Sequence, residues 1–136
     1  MSTRCNIAIY DNYNQKDPGA RLYHHCDGYP SFMVKKLTDF LDYIAKIDNY
    51  KFNFDSESVA AMMIVLSIED YEVPLLPFST DRLDAYDLMR PEMKYRANNG
   101  LPVFEPCIKN HGDIAYTYKV NLNNSSRTFT IDSRKV

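Results

Sequence analysis

Several residue types that mark particular protein classes are scarce or absent in this 136-residue chain. It has no Trp, and its four glycines include no Gly-x-Gly pair, which excludes a glycine-rich phosphate loop. Sixteen basic side chains stand against eighteen acidic ones, for a formal charge of −2. Because non-specific nucleic-acid affinity comes from an excess of Lys and Arg, we expect no general nucleic-acid binding.

Cysteine is also scarce, and its pattern argues against two kinds of site. Cys5, Cys26 and Cys107 are odd in number and lie far apart along the chain. A disulfide framework uses an even number of cysteines, and a structural zinc site usually contains a Cys-x-x-Cys pair. We therefore expect reduced thiols and a cytoplasmic location.

Long hydrophobic segments are missing as well. The longest apolar stretch, Val59–Leu66, is far shorter than the roughly 20 residues that span a bilayer. The N-terminus does not show the basic and then apolar pattern of a signal peptide. The sequence therefore predicts no association with a membrane.

The residues that are present indicate an ordinary globular domain. Hydrophobic residues make up 45% of the chain and charged residues 25%. The length suits one domain over residues 1–136. Eleven tyrosines, which combine an apolar ring with a polar hydroxyl, favour a role in binding, since Tyr is enriched at protein interfaces.

Alternating apolar and polar residues predict strands near both ends of the chain. Cys5–Tyr10 and Ala20–Cys26 read as an N-terminal antiparallel hairpin with a long turn. Ile114–Val120 and Arg127–Asp132 read as a C-terminal hairpin around an Asn- and Ser-rich turn. A further strand over Val103–Ile108 would be confined to a sheet edge by its proline.

Two helices are predicted between the hairpins. The first begins with Ser31 as its cap and has apolar residues at spacings of three and four, with Lys36 on its solvated side. The second runs from Asp55, as its cap, to about Asp70, and Phe54 and Val59 match a hydrophobic staple. Because it is apolar nearly all round, we expect the second helix to be the most buried element.

The order of elements predicts the fold class. A hairpin, two helices, a Pro-punctuated insertion at about 73–100 and a second hairpin favour an α+β domain. We expect a single, mainly antiparallel sheet made by the N-terminal and C-terminal hairpins. Both helices would pack on one face of that sheet, in two layers.

Two short motifs contain all three histidines of the chain. The first is Arg21-Leu22-Tyr23-His24-His25-Cys26-Asp27-Gly28-Tyr29-Pro30, and the second is His111-Gly112-Asp113. Each motif places a His close to an Asp and a Gly at the end of a predicted strand. These motifs are the candidate functional site.

The motifs resemble those of a family of small, largely uncharacterised bacteriophage and prophage proteins. Members begin with a short strand, continue into a Tyr-x-His-x-Asp-Gly-Tyr-Pro turn and end in a His-Gly-Asp-Ile-x-Tyr-x-Tyr hairpin. The matching residues are Tyr23, His25, Asp27, Gly28, Tyr29, Pro30, His111, Gly112, Asp113, Ile114, Tyr116 and Tyr118. The resemblance does not extend to the 73–100 insertion. The resemblance of the two motifs implies a phage context, a host-cell location and a shared fold, but no activity.

Strand geometry suggests that the two motifs meet. Alternation places Tyr23, His25 and Asp27 on one face of their strand. If the hairpins are neighbours in the sheet, His111 and Asp113 would approach them. Two imidazoles and two carboxylates suit a divalent metal or acid–base phosphoryl chemistry, but the same residues also suit a hydrogen-bonded corner. We favour the corner.

The sequence favours a binding protein over an enzyme, because Gly-x-Ser-x-Gly, Cys-x-x-Cys and His-Glu-x-x-His are all absent. Such a protein would act in host takeover or against host defence, by occupying a host protein or sequestering a small nucleotide. The candidate binding residues are Arg21, Tyr23, His25, Asp27, Tyr29, His111, Asp113, Tyr116 and Arg127. Arginines and tyrosines would contact phosphates and stack on rings in a nucleotide ligand.

Two alternatives stay open. One is a metal-dependent phosphohydrolase that uses His25, Asp27, His111 and Asp113. The other is a structural accessory protein, which includes a homo-oligomer. Apart from the first alternative, we expect neither a metal nor a cofactor.

Overall fold

The computed structural model describes residues 3–13, 16–48, 50–67 and 104–136. The predicted insertion at 73–100 and the predicted helix end near Asp70 lie outside these residues. The elements of the described part, in chain order, are β1 (Cys5–Tyr10), β2 (Ala20–His24), α1 (Pro30–Ala45), α2 (Ser56–Ser67), β3 (Phe104–Pro106), β4 (Tyr116–Asn123) and β5 (Thr128–Lys135). No helix in these ranges is long and apolar enough to span a bilayer.

One five-stranded sheet contains all these strands, in the order β3-β2-β1-β4-β5. Both predicted hairpins are present, since β1 pairs antiparallel with β2 and β4 pairs antiparallel with β5. Among the described strands, the short strand β3 lies at one edge and pairs with β2 alone. Its position fits Pro106, which has no backbone N–H to donate to a second neighbour.

The α+β class is confirmed, but the prediction of a mainly antiparallel sheet is wrong. The central strands β1 and β4 run parallel, with Ile7 opposite Tyr118, so the sheet is mixed. Local residue patterns determine each hairpin, because the turn joins strands that are close in sequence. They do not determine how two distant hairpins meet, and here two helices separate the hairpins along the chain.

The core lies on one face of the sheet and includes residues of both helices. The alternation predicted for β1 is confirmed, because Ile7 and Ile9 are fully buried on this face. Tyr118, Val120 and Leu122 of β4 join them in the same hydrophobic cluster. The helices contribute Met33, Leu37, Phe40, Leu41, Ile44, Val59, Ala60, Met63 and Leu66.

Helix α1 differs from its prediction in two respects. It begins at Pro30, with Tyr29 in the cap position and no side-chain cap, so Ser31 is inside the helix. Proline suits the first helical position because the N–H it lacks has no partner there. Lys36 is buried rather than solvated, with its ammonium 5.3 Å from the ring centroid of Phe32. A long aliphatic stem and a cation–π contact let a lysine occupy an apolar helix face.

Helix α2 begins as predicted. The Asp55 carboxylate accepts a hydrogen bond of 2.8 Å from the Ser58 backbone N–H, which caps the helix. Phe54 and Val59, the predicted staple pair, are both buried. Burial is not uniform around the helix, however, because Leu66 is 1% exposed while Ile64 is only partly buried.

Candidate functional site

The second face of the sheet, which we call the open face, carries the polar half of each strand pattern. Asn6, Ala8 and Tyr10 of β1 lie on it, next to Thr117 and Lys119 of β4. The core residues of these strands all point to the other side. The open face is therefore where a site can be built from side chains that the core does not use.

Tyr23 is the centre of a cluster that joins the two sequence motifs. Its hydroxyl lies 3.2 Å from Nδ1 of His25. The His111 ring stacks on the Tyr23 ring almost in parallel, with centroids 3.9 Å apart. Asp113 forms a 2.8 Å ion pair with Arg4, which precedes β1. The structure thus brings Tyr23, His25, His111 and Asp113 to one end of the sheet.

The electrostatics of the cluster favour a hydrogen-bonded corner. Burial, with a further contribution from the negative charge of Asp113, raises the pKa of Tyr23. Its hydroxyl therefore keeps its proton at neutral pH and can donate it to His25. Tyr23 is only 6% exposed, whereas His25 is exposed, so this contact is partly shielded from solvent.

Asp27 does not join the cluster: among the described residues, no hydrogen bond or ion pair links its side chain to Tyr23 or to the histidines. Its backbone is left-handed, with φ 55°, and leads into Gly28. The Gly28 N–H donates to the Thr3 carbonyl at 2.8 Å. The Gly28 carbonyl accepts a 2.6 Å hydrogen bond from the Tyr118 hydroxyl. A Cβ at Gly28 would lie 2.9 Å from that of Cys5. This Asp-Gly step packs the turn against β1.

Three other predicted residues lie outside the cluster. Arg21 donates from Nη1 to the carbonyl of Ile108 at 3.1 Å, which attaches β2 to the segment after β3. Tyr29 is exposed, in contact with the Phe32 ring. Tyr116 packs against the hydrophobic core instead of facing the site.

Arg127 has a different role from the one predicted. From its place in the turn between β4 and β5, its guanidinium donates to four backbone carbonyls at and beyond the end of α1. The acceptors are Ala45 at 2.9 Å, Ile47 at 2.7 Å, Phe52 at 3.1 Å and Ile44 at 3.4 Å. A cation there satisfies orphan carbonyls and complements the helix dipole. Its donors are used within the fold and do not face a ligand.

The metal hypothesis gains no support from this arrangement. Within residues 3–13, 16–48, 50–67 and 104–136, no three His, Cys, Asp or Glu side chains are placed together so that they could hold an ion. One of the two proposed carboxylates, Asp113, already pairs with Arg4. None of the three cysteines forms a disulfide, and Cys5 is buried.

A cavity of about 530 Å³ lies on the open face beside the Tyr23 cluster. Asn110, next to the stacked His111, forms part of its wall. The residues that matter most for its chemistry are Asn6, Ala8, Tyr10, Lys119, Asp132 and Arg134. The cavity extends across β1, β4 and β5.

Asn6 is the most unusual residue of this cavity. It is 2% exposed, yet neither its Nδ2 nor its Oδ1 has a hydrogen-bond partner within the described part of the chain. Buried polar side-chain atoms are paired in the large majority of cases, and an unpaired one costs roughly 1–3 kcal/mol. Both amide atoms are nearly closed to solvent, so a ligand reaches them only when the side chain turns towards the cavity.

Sequence analysis did not identify Asn6, Lys119 or Arg134. The available signal was the residue type of Asn6, because Asn is depleted in strands. Polar residues on the outer face of a strand usually contact water, so alternation alone did not distinguish Asn6 from a solvated residue.

Comparison with known proteins adds nothing to this geometry: no family model, no curated protein and no solved structure matches the chain. The resemblance of the two motifs to phage proteins therefore stays a prediction. The functional argument depends on the residues of the open face.

Proposed function

We propose that this protein acts by binding a small ligand in the cavity of the open face. The observation that carries the proposal is the buried, unpaired amide of Asn6. Its cost to folding would be offset when a ligand donates to Oδ1 and accepts from Nδ2. A cavity of about 530 Å³ also falls in the size range of small-molecule sites, about 300–1,000 Å³.

In this proposal the fold is a two-layer domain that keeps one sheet face free for the ligand. The helices close the core on one side, and the Tyr23 cluster forms a stiff wall at one end of the other side. The stack of Tyr23 on His111 and the ion pair of Arg4 with Asp113 hold the 110–113 segment beside the cavity. These residues shape the site, whereas Asn6 contacts the ligand.

The biological role that fits this proposal is sequestration. A small phage-type accessory protein in the host cytoplasm would hold a host metabolite or nucleotide signal and thereby support host takeover or oppose defence. A concave cavity with an unpaired amide favours a small molecule over a host protein as the occupant, because protein interfaces are filled mainly by large apolar and aromatic anchors.

The proposal is tested by thermal unfolding of the full chain with and without the low-molecular-weight fraction of a bacterial extract. We expect the fraction to raise the melting temperature of the wild type, since a ligand that binds only the native state stabilises it. Ala8→Leu fills part of the cavity and should abolish the increase.

The matched control is Ala61→Leu, which adds the same atoms at an exposed position of α2. This variant should keep the increase in full. An unchanged wild-type melting temperature would contradict the proposal, and so would an equal increase in Ala8→Leu.

A further inference from the structure

We infer that the ligand of this cavity is a nucleoside phosphate, with its base edge on Asn6 and its phosphate on Arg134 and Lys119. The inference rests on the proposed function and names the chemical class of the ligand. It follows from the kinds of polar group that line the cavity and from their order across the sheet.

The base edge is assigned to Asn6 because of the amide's complementarity. A carboxamide presents a donor and an acceptor side by side, and it forms paired hydrogen bonds with a nucleobase edge such as N6 and N7 of adenine. Among the described residues neither group of Asn6 has a partner, and the side chain presents both to a base when it turns from its buried position towards the cavity. Ala8, two residues further along β1, is small and leaves room for a planar ring.

The phosphate is assigned to the two cations of the cavity. Among the described residues the ion pairs are Arg4–Asp113 and Lys35–Asp39, so neither Lys119 nor Arg134 is neutralised by a carboxylate. The cavity wall has these two cations and one carboxylate, although the whole chain carries a formal charge of −2. An anionic group is therefore favoured at this end, and Arg can bind it with two parallel hydrogen bonds.

The register sets the distance between the two ends of the ligand. Asn6, Thr117 and Arg134 lie in one row across β1, β4 and β5. Neighbouring strands are about 4.8 Å apart, so the backbone positions of Asn6 and Arg134 are separated by about 10 Å. The proposed base contact and the proposed phosphate contact are thus two strands apart on the open face.

The remaining groups suit the sugar and the ring. Asp132 lies opposite Lys119 in the β4–β5 register and two residues from Arg134, and its carboxylate can accept hydrogen bonds from ribose hydroxyls. The Lys119 ammonium lies 4.7 Å from the centroid of the Tyr10 ring, and this cation–π contact holds it beside the cavity that both residues line. Inorganic phosphate alone would leave Asn6 unpaired, and a free base would leave the cations unused.

The test is calorimetric titration of the full chain with AMP, GMP, CMP and UMP, with the four nucleosides, and with inorganic phosphate. We expect at least one monophosphate to bind at least about tenfold more tightly than its nucleoside and than phosphate. Asn6→Leu should weaken that monophosphate at least about tenfold without changing the affinity for inorganic phosphate.

Arg134→Gln should weaken the monophosphate by a similar factor and leave the nucleoside unchanged. Lys135→Gln is the matched control, because it removes a neighbouring exposed cation of β5 that does not line the cavity. This control should bind like the wild type.

The possible failures are distinguishable. If none of the four monophosphates binds while the low-molecular-weight extract still stabilises the wild type through the cavity, the nucleotide class is wrong and the proposed function stands. If no monophosphate binds and the extract does not stabilise the wild type, both the nucleotide class and the proposed function are wrong. Equal affinities for a monophosphate and its nucleoside would also overturn the assignment of Arg134 and Lys119.

Discussion

Two asparagines of this chain have opposite environments. The side-chain amide of Asn6 is buried and has no partner. The Nδ2 of Asn124 donates to the Asp11 carboxylate and to the carbonyl of Phe54, each at 2.8 Å. The same side chain thus connects elements of the fold at position 124 and has no partner among the described residues at position 6, so the two should respond differently to the same substitution.

Asn6→Leu should raise the free energy of unfolding of the unliganded protein by roughly 1–3 kcal/mol, because it removes an unsatisfied amide. Asn124→Leu should lower it by a similar amount, since it leaves Asp11 and Phe54 short of a donor. Urea unfolding followed by circular dichroism measures both. A loss of more than about 1 kcal/mol in Asn6→Leu would show that its amide has a structural role.

His24 lies in the core and gives the fold a pH dependence. Burial, and then the nearby charge of Lys36, lower its pKa to about 4. Its pKa in the unfolded chain, about 6.5, is higher, so the unfolded chain takes up the proton first as the pH falls. The unfolding free energy should therefore fall between about pH 6.5 and pH 4.

The His24→Leu variant separates this effect from other titrations. Between pH 7 and pH 4.5 the wild type should lose roughly 2–3 kcal/mol more stability than the variant. Parallel urea denaturation series at the two pH values measure the difference. Equal losses in the two proteins would mean that His24 titrates normally in the fold.

At the scale of elements, α1 depends on a residue far away in sequence. Arg127 links the turn between β4 and β5 to four carbonyls at and beyond the end of the helix, and its guanidinium also lies 5.4 Å from the Phe54 ring centroid. This contact joins the C-terminal hairpin to the segment between the helices.

Replacing Arg127 with Gln should lower the unfolding free energy by roughly 2–3 kcal/mol, because charge-assisted hydrogen bonds to several carbonyls are lost. The same change at the exposed Lys135 should have an effect within about 0.5 kcal/mol. Chemical denaturation measures both variants. Similar losses in the two would show that the Arg127 contacts contribute little.

Helix α2 allows a comparison between its two sides. Leu66→Ala should cost roughly 2–5 kcal/mol, since Leu66 is buried in the core. Ile64→Ala should cost clearly less, because Ile64 is only partly buried. Equal changes in the denaturation midpoints would mean that α2 is buried on both sides, as its composition suggests.

The elements that sequence predicted correctly are those fixed by neighbours along the chain. The β1–β2 and β4–β5 hairpins and the Asp55 cap follow from alternation, turn residues and a staple within a few positions. The burial of Lys36 and the unpaired amide of Asn6 were not predicted. A residue type alone does not show that a lysine will lie over two aromatic rings or that an asparagine will have no partner. Both depend on long-range packing.

At the scale of the whole molecule, the parallel pairing of β1 with β4 decides where the two motifs meet. His24, at the end of β2, lies opposite Cys5, and Tyr116, at the start of β4, lies opposite the same residue. The segment before β4 and the turn after β2 therefore emerge at the same end of the sheet. Antiparallel pairing would have placed His111 at the other end, away from Tyr23.

The open-face cavity is a product of the same topology. Asn6 lies in the central strand between Tyr23 of β2 and Thr117 of β4, so both hairpins contribute to its surroundings. The Asn6 side chain, in the middle of the sheet, is therefore shielded from water but has no hydrogen-bond partner among the described residues. This combination is the basis of the proposal that the protein binds a ligand here.

The most direct test of that proposal is nuclear magnetic resonance of the Asn6 side-chain amide, assigned by its disappearance from the spectrum of Asn6→Leu. The low-molecular-weight fraction of a bacterial extract is added to the ¹⁵N-labelled full chain. The proposal predicts that the Asn6 amide signals shift while those of Asn124 stay in place. Asn6 signals that do not move at any concentration of the fraction would contradict it.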